Sequence, residues 1–320
     1  MRQQKYVARK TEANVQKTLK SSVNFEGVGL HTGKVVRATV HPASAHHGIW
    51  FRRTDVTDAD PFVPAKWNVV EQTALCTRIR NDAGTSVSTL EHVMAALVGC
   101  GIHNALIELD GPELPILDGS AAVFVQRFLA AGLQAQDRPV AAIRVLRPVE
   151  VTDGLASARL EPADHLIMDF RIEFEDSAIG EQTKTLSLSN GTFVRELCDS
   201  RTFCRHSDIE FMHANGLALG GTLDNAVVVD GDEVLSPGGF RYKDEAVRHK
   251  MLDALGDLGL AGAPLMARYV GDRAGHALTN KLLHALFADP MSYVIEQCSD
   301  RESRILPGVG VRKADLPAIA

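Results

Sequence analysis

Several side chains in this sequence are spaced to do chemistry together. In Val247-Arg248-His249-Lys250-Met251-Leu252-Asp253-Ala254-Leu255-Gly256-Asp257, His249, Asp253 and Asp257 fall four apart, which on a helix puts them on one face. An imidazole and a carboxylate at that spacing can close on one metal ion without backbone strain, as the two histidines of H-E-x-x-H do on zinc. Taken alone, the pair reads better as a surface contact. Glu91-His92 offers the rest of a site. Two histidines and one aspartate meet the ligand count of a catalytic zinc, His92, His249 and Asp253 would complete it, and Glu91 would take a proton from water attacking a carbonyl. In isolation Glu91 is a helix cap and His92 a satisfied histidine near a helix end. His276, just after Gly275, could protonate a leaving amine or stabilise an oxyanion, with Asp257 holding its other nitrogen. By itself it is a helix-start residue.

These residues need elements to carry them. Thr18 to Asp55 reads as short strands broken by turns at Gly27, Gly29, Gly33 and His41-Pro42. Ser88-Thr89-Leu90-Glu91 has the form of a capping box ahead of a helix running to Gly99. A strand is expected over 105–109, a second helix over 121–133, and a linker over Gln134 to Arg138 before Pro139. The second half repeats the plan: strand-like runs over 142–174, a strongly amphipathic helix over 244–260, a strand over 265–270 and a helix over 275–287. His92 and His249 are 157 residues apart, and Gly119 and Gly275, each opening a second helix, are 156 apart. Two α+β domains, each a sheet covered by a helix pair, are implied.

The chain has 320 residues and is 45% hydrophobic and 23% charged, the balance of a globular protein able to bury a core. A net charge of −6 offers no basic field to nucleic acid, so any phosphate must meet a local cluster. Five irregularly placed cysteines fit a reducing compartment rather than a disulfide framework. The polar first seventeen residues lack the apolar core of a secretory signal, and no stretch is long and apolar enough for a membrane span. A cytoplasmic protein without stable membrane insertion is expected.

The chain resembles the UDP-3-O-acyl-N-acetylglucosamine deacetylases, zinc-dependent enzymes of lipid A biosynthesis. The likeness runs from about Thr18 to Phe287 and rests on GVGLHTGK (27–34), FRRTD (51–55), STLEHVMAAL (88–97), PILDGSAAVFV (115–125), RTF (201–203), LGGTLDNAVVV (219–229), VRHKMLDALGDL (247–258) and GHALTNKLL (275–283). It implies removal of the N-acetyl group from UDP-3-O-(3-hydroxyacyl)-N-acetylglucosamine, the committed step of lipid A biosynthesis. Zn2+ is the implied metal, held by His92, His249 and Asp253, with Fe2+ an accepted replacement.

The resemblance also implies roles for single residues. Glu91 becomes the general base, His276 the cationic or acid partner oriented by Asp257, and Thr202 a donor to the developing oxyanion. Lys250 and Phe203 would contact the glucosamine or its phosphates, and a hydrophobic insert near 202–229 would sheathe the acyl chain, with Gly220-Gly221 permitting close backbone approach. Arg273, where the family often has lysine, would meet the diphosphate, and Phe170 would stack the uracil. Arg205 stands where relatives carry an apolar residue. The implied fold is a β-α-α-β sandwich of two domains packed helix layer to helix layer, with an arm over 1–17, domains over 18–138 and 139–306, and a tail over 307–320. A zinc amidase of other acyl-sugar specificity and a non-catalytic relative are the alternatives. The oligomeric state is open, a monomer being compatible.

Overall fold

The computed structural model describes residues 14–73 and 75–317. Most of the expected N-terminal arm, residues 1–13, and the last three residues of the tail lie outside the described residues.

Alternation of inward apolar and outward polar side chains builds two sheets of one plan. Val36, Ala38 and Val40 are buried along strand Val35–Pro42 while Val35 and Arg37 face out. The first sheet has the order Val23–Val28, Val35–Pro42, Ala105–Leu109, Ile49–Arg53, Phe62–Pro64. In the second, Val149–Asp153, Ala156–Pro162, Leu265–Asp272, Ile167–Glu173 and Glu181–Ser187 stand in the corresponding places, and Ala141–Val145 and Tyr293–Gln297 extend it. Each central strand lies antiparallel to the hairpin strand before it and parallel to the next. A helix precedes and follows each central strand: Glu91–Gly99 and Ala122–Ala131 in the first half, Glu245–Leu258 and His276–Ala288 in the second. The repeat expected from spacing is a repeat of topology.

The two leading helices pack on each other between the sheets. A Cβ added at Gly256 would lie 2.0 Å from the Glu91 carbonyl oxygen, and one at Gly259 would lie 2.9 Å from Val98. Only a residue without a side chain lets the backbones approach so closely. Squeezed between layers, the helices are buried nearly all round: of helix Glu245–Leu258 only Arg248 and Lys250 escape full burial, and of helix Glu91–Gly99 only Val98. The second-half helix, read as strongly amphipathic, buries its polar face as well. Its His249, Asp253 and Asp257 are interior polar groups that need partners.

Three local expectations are corrected. The 134–138 stretch is no linker: Leu133–Pro139 is a strand pairing antiparallel with Val15–Leu19, and its polar residues suit a small two-stranded ribbon. Ser88-x-x-Glu91 is not a capping box. Ser88 ends a strand, Thr89 has φ 56°, and the helix starts at Glu91 itself, so the carboxylate comes two residues before the third helical position a capping box needs and faces the interior. Gly119 does not open its helix as Gly275 does. It lies in a turn at φ 81°, three residues before Ala122, where a Cβ would strike the Asn225 carbonyl oxygen at 2.1 Å.

Candidate active site

Close passage of the two leading helices brings residues 157 positions apart into one cluster. The ligand-capable atoms of His92, His249 and Asp253 all lie within 4.8 Å of one another. The imidazole rings stand edge to face with centroids 5.1 Å apart, and the three residues are 4%, 2% and 5% exposed, so they see each other rather than water. Asp253 Oδ1 is 3.2 Å from His249 Nε2 and 3.7 Å from His92 Nε2, yet it has no hydrogen-bond partner. A buried carboxylate oxygen without a donor is costly unless a cation completes it. His249 Nδ1 lies 3.0 Å from the Ser200 carbonyl, which can only accept, so Nδ1 carries the hydrogen and Nε2 offers its lone pair to the cluster. The donor set fits a divalent ion of the zinc type.

Charged groups ring this cluster. Lys250 Nζ donates to Asp253 Oδ2 at 3.0 Å. Burial works to raise the Asp253 pKa, but His249 and Lys250 beside it hold it well below the usual range. Glu91 accepts the Thr77 backbone N–H at 3.1 Å. Burial pushes its carboxyl up to about 7, although His276 pulls the other way. His276 Nδ1 is 2.8 Å from Asp257 Oδ2, while its Nε2 is 3.9 Å from Glu91 Oε1 and 4.0 Å from Asp253 Oδ2. Burial works to lower the His276 pKa, but Asp257, then Glu91 and Asp253, raise it to about 9. A carboxyl poised near neutrality and a cationic imidazole thus sit side by side, the pairing that acid–base catalysis uses.

Beside the cluster opens an apolar cavity of about 250 Å³, whose lining includes Leu30, Thr202, Phe203, Met212, Gly221 and Val228. Its outer wall is the expected insert, with helix Ile209–Ala214 and a small sheet of Phe203–Arg205, Val227–Asp230 and Glu233–Val234. Phe203 stands edge-on to His249 at 6.3 Å. Gly220 N donates to the Leu30 carbonyl at 2.9 Å, so close backbone approach at the glycine pair ties the insert to the GVGLHTGK loop. Arg205 turns away from the cavity into an ion pair with Asp176, which leaves that wall apolar.

Not every expected residue converges. Phe170 is 3% exposed, and its ring packs on Tyr269 and over Gly271. It faces the core of its strand and offers no surface to a base. Arg273 is tied to Glu173 and donates to the Leu155 carbonyl at the outer edge of the second sheet. Other groups escaped the sequence reading. Thr77 bridges Glu91 through its N–H and Asp257 through its hydroxyl. His31 lies in the quoted GVGLHTGK segment, but no metal spacing marks it; its Nε2 is buried and unpartnered, and it lines the apolar cavity. Phe174, half-buried, meets Phe203 edge-on at 5.4 Å.

Fold and site together define a protein of two like α+β halves with a buried cluster of metal-ligand type where their leading helices cross. Residues 16–288 match the family described as UDP-3-O-acyl N-acetylglycosamine deacetylase. The UDP-3-O-acyl-N-acetylglucosamine deacetylase of Phenylobacterium zucineum is 48% identical over 275 residues, covering 86% of this chain and 94% of that protein. Those of Histophilus somni and Haemophilus influenzae are each 43% identical over 289 residues, with 90% and 94% covered. The chain belongs to this deacetylase family.

Proposed function

We propose that the chain hydrolyses the N-acetyl group of UDP-3-O-(3-hydroxyacyl)-N-acetylglucosamine, giving acetate and the free amine, the committed step of lipid A biosynthesis. The observation that carries the proposal is the buried His92, His249 and Asp253 set, with Asp253 Oδ1 lacking a donor and Glu91 and His276 beside it. These three residues would hold Zn2+, or Fe2+ in its place. When bound, the ion supplies Lewis acidity toward the amide carbonyl and toward water.

The chain's own residues do the proton work. Glu91 accepts a proton as water oxygen bonds to the acetyl carbon. Thr202, which lines the apolar cavity, donates to the oxygen on which charge develops. His276, held by Asp257, delivers its Nε2 proton to the amide nitrogen as the C–N bond breaks, so the leaving group departs as a neutral amine. Met212, Val228 and their neighbours exclude water along the acyl chain, and Lys250 and Phe203 flank the sugar. Five cysteines without a disulfide among the described residues accord with a reducing, cytoplasmic setting.

The test is acetate release by purified, zinc-loaded protein. Glu91→Gln should leave bound metal unchanged and lower turnover about 10²- to 10⁴-fold. Near-normal turnover would remove Glu91 from the mechanism. The same assay on UDP-N-acetylglucosamine lacking the 3-O-acyl chain should show a large loss, since the apolar cavity would then be unused.

A further inference from the structure

Glu245 lies four residues before His249, one turn earlier on the same helix face. It is 1% exposed, and Arg201, its partner, is 7% exposed. Glu245 Oε1 accepts from Arg201 N at 3.0 Å and Nε at 2.9 Å, and Oε2 accepts from Arg201 Nη2 at 3.1 Å and from Arg241 N. Arg201 Nη2 also donates to the Gly239 carbonyl at 2.7 Å. One turn on, the His249 ring donates to Ser200, the residue just before Arg201. Successive turns of one helix therefore clamp two successive residues of one strap. That strap runs directly into Thr202, whose N–H and C=O are fixed by Gly119 and Val227 at 2.8 Å each, and into Phe203 beside the His249 ring.

We infer that Glu245 and Arg201 are positioning residues for the His249 ligand: by holding the strap they keep the Ser200 carbonyl where it fixes the tautomer and plane of the ring. An imidazole with no acceptor at Nδ1 can place its hydrogen on either nitrogen, and with the hydrogen on Nε2 it has no lone pair to give at the cluster. The bidentate fork makes the clamp directional as well as charged. Because the strap continues into Thr202 and Phe203, the clamp also ties ligand orientation to the substrate wall.

The inference rests on reading His249 as a metal ligand, and its test separates the two. Zn2+ affinity is measured by chelator competition on the wild type, Arg201→Met, Arg201→Lys and Glu245→Gln. The ring 15N shifts of His249 are recorded on the same proteins without metal. Arg201→Met and Glu245→Gln should weaken zinc about 10- to 100-fold, the usual effect of losing a group that orients a ligand. They should also shift His249 from the Nδ1–H tautomer to a mixture. Arg201→Lys, which keeps the charge but loses the fork, should fall between them and the wild type. Folded variants with lowered melting temperature but unaltered zinc affinity and tautomer would overturn the inference, because that is the signature of a purely structural ion pair. If Arg201→Met does not fold, Arg201→Lys and Glu245→Gln supply both readings. A wild type that binds no zinc would instead overturn the proposed function.

Discussion

The close crossing at Gly256 gives a prediction in which two physical effects have opposite signs. In an unconstrained helix Gly256→Ala should stabilise, since glycine in a helix interior costs about 1 kcal/mol relative to alanine. Here the new methyl carbon would begin 2.0 Å from the Glu91 carbonyl oxygen, 2.8 Å from its carbonyl carbon and 3.0 Å from its Cα. Ordinary carbon–oxygen contact is well beyond 3 Å, so the helices must separate by about 1 Å at this point or deform locally. The obstacle is backbone, which cannot rotate aside. Overpacking of this kind costs about 1 to 3 kcal/mol, enough to cancel the propensity gain and reverse its sign. Function should suffer more, because the displaced residue, Glu91, is the proposed proton acceptor and precedes His92. A misplacement of about 1 Å can cost about 10²-fold in rate. Equilibrium urea unfolding of zinc-loaded wild type and Gly256→Ala, with kcat/KM and bound zinc measured on the same preparations, tests this. The midpoint should fall, turnover should drop about 10²-fold and zinc affinity should weaken. A variant as stable as the wild type or more so, with full activity, would refute the claim that this crossing positions the site.

Three further outcomes follow from the electrostatics. Asp253→Asn should deplete bound metal and also destabilise the protein, because Lys250 Nζ loses its carboxylate partner at 3.0 Å; unaltered metal content would show that Asp253 is not a ligand. Asp257→Asn removes the foremost charge that raises His276 to about 9, so the alkaline limb of the rate–pH profile, where the protonated acid is lost, should move to lower pH, and an unmoved limb would break the pairing. His103 should govern part of the acid stability: burial lowers its pKa to about 4, and its Nδ1 accepts the Lys17 N–H at 3.0 Å. The folded pKa is below the unfolded one, so the unfolded chain binds more protons between about pH 6.5 and 4. Up to about 3 kcal/mol of stability should be lost as pH falls through that window, and His103→Gln should flatten the melting temperature's fall relative to wild type.

The helices and central strands were legible because their apolar period is a local property. Helix over 91–99, strand over 105–109 and the helix–strand–helix of the second half follow from apolar spacing within one or two residues of the observed ends. The cluster was legible in part: His249, Asp253 and Asp257 share a face by spacing alone, but nothing local says that the face is interior. That depends on Gly256 and on a partner helix 157 residues away in the register of the two histidines. For the same reason Thr77 and Ser200 were not visible. Ser200 acts through its backbone carbonyl and Thr77 in part through its backbone N–H, and a backbone group leaves no residue-type signal. Phe170 misled because an aromatic residue on a strand can face either side. Parity put it against Tyr269, while Phe174, just past the strand's last residue Glu173, is half-buried edge-on to Phe203.

The burial of so many ionisable groups in one place fits a charge arrangement that a cation would complete. Taking a carboxylate or an ammonium out of water costs several kcal/mol unless partners restore what water gave. Lys250 and His276 offset Asp253 and Asp257 here, leaving Glu91 as the surplus acid, and burial has moved it up to about 7. A divalent ion at His92, His249 and Asp253 would change that balance. Its positive charge would draw Glu91 below that value and so place it, at neutral pH, in the carboxylate form a proton acceptor requires. It would lower His276 from about 9 by the same argument. Metal binding and acid–base readiness are therefore one equilibrium: loading the site with zinc at fixed neutral pH should release protons. An uptake, or no exchange beyond that of the buffer control, would mean that Glu91 is not coupled to the cluster.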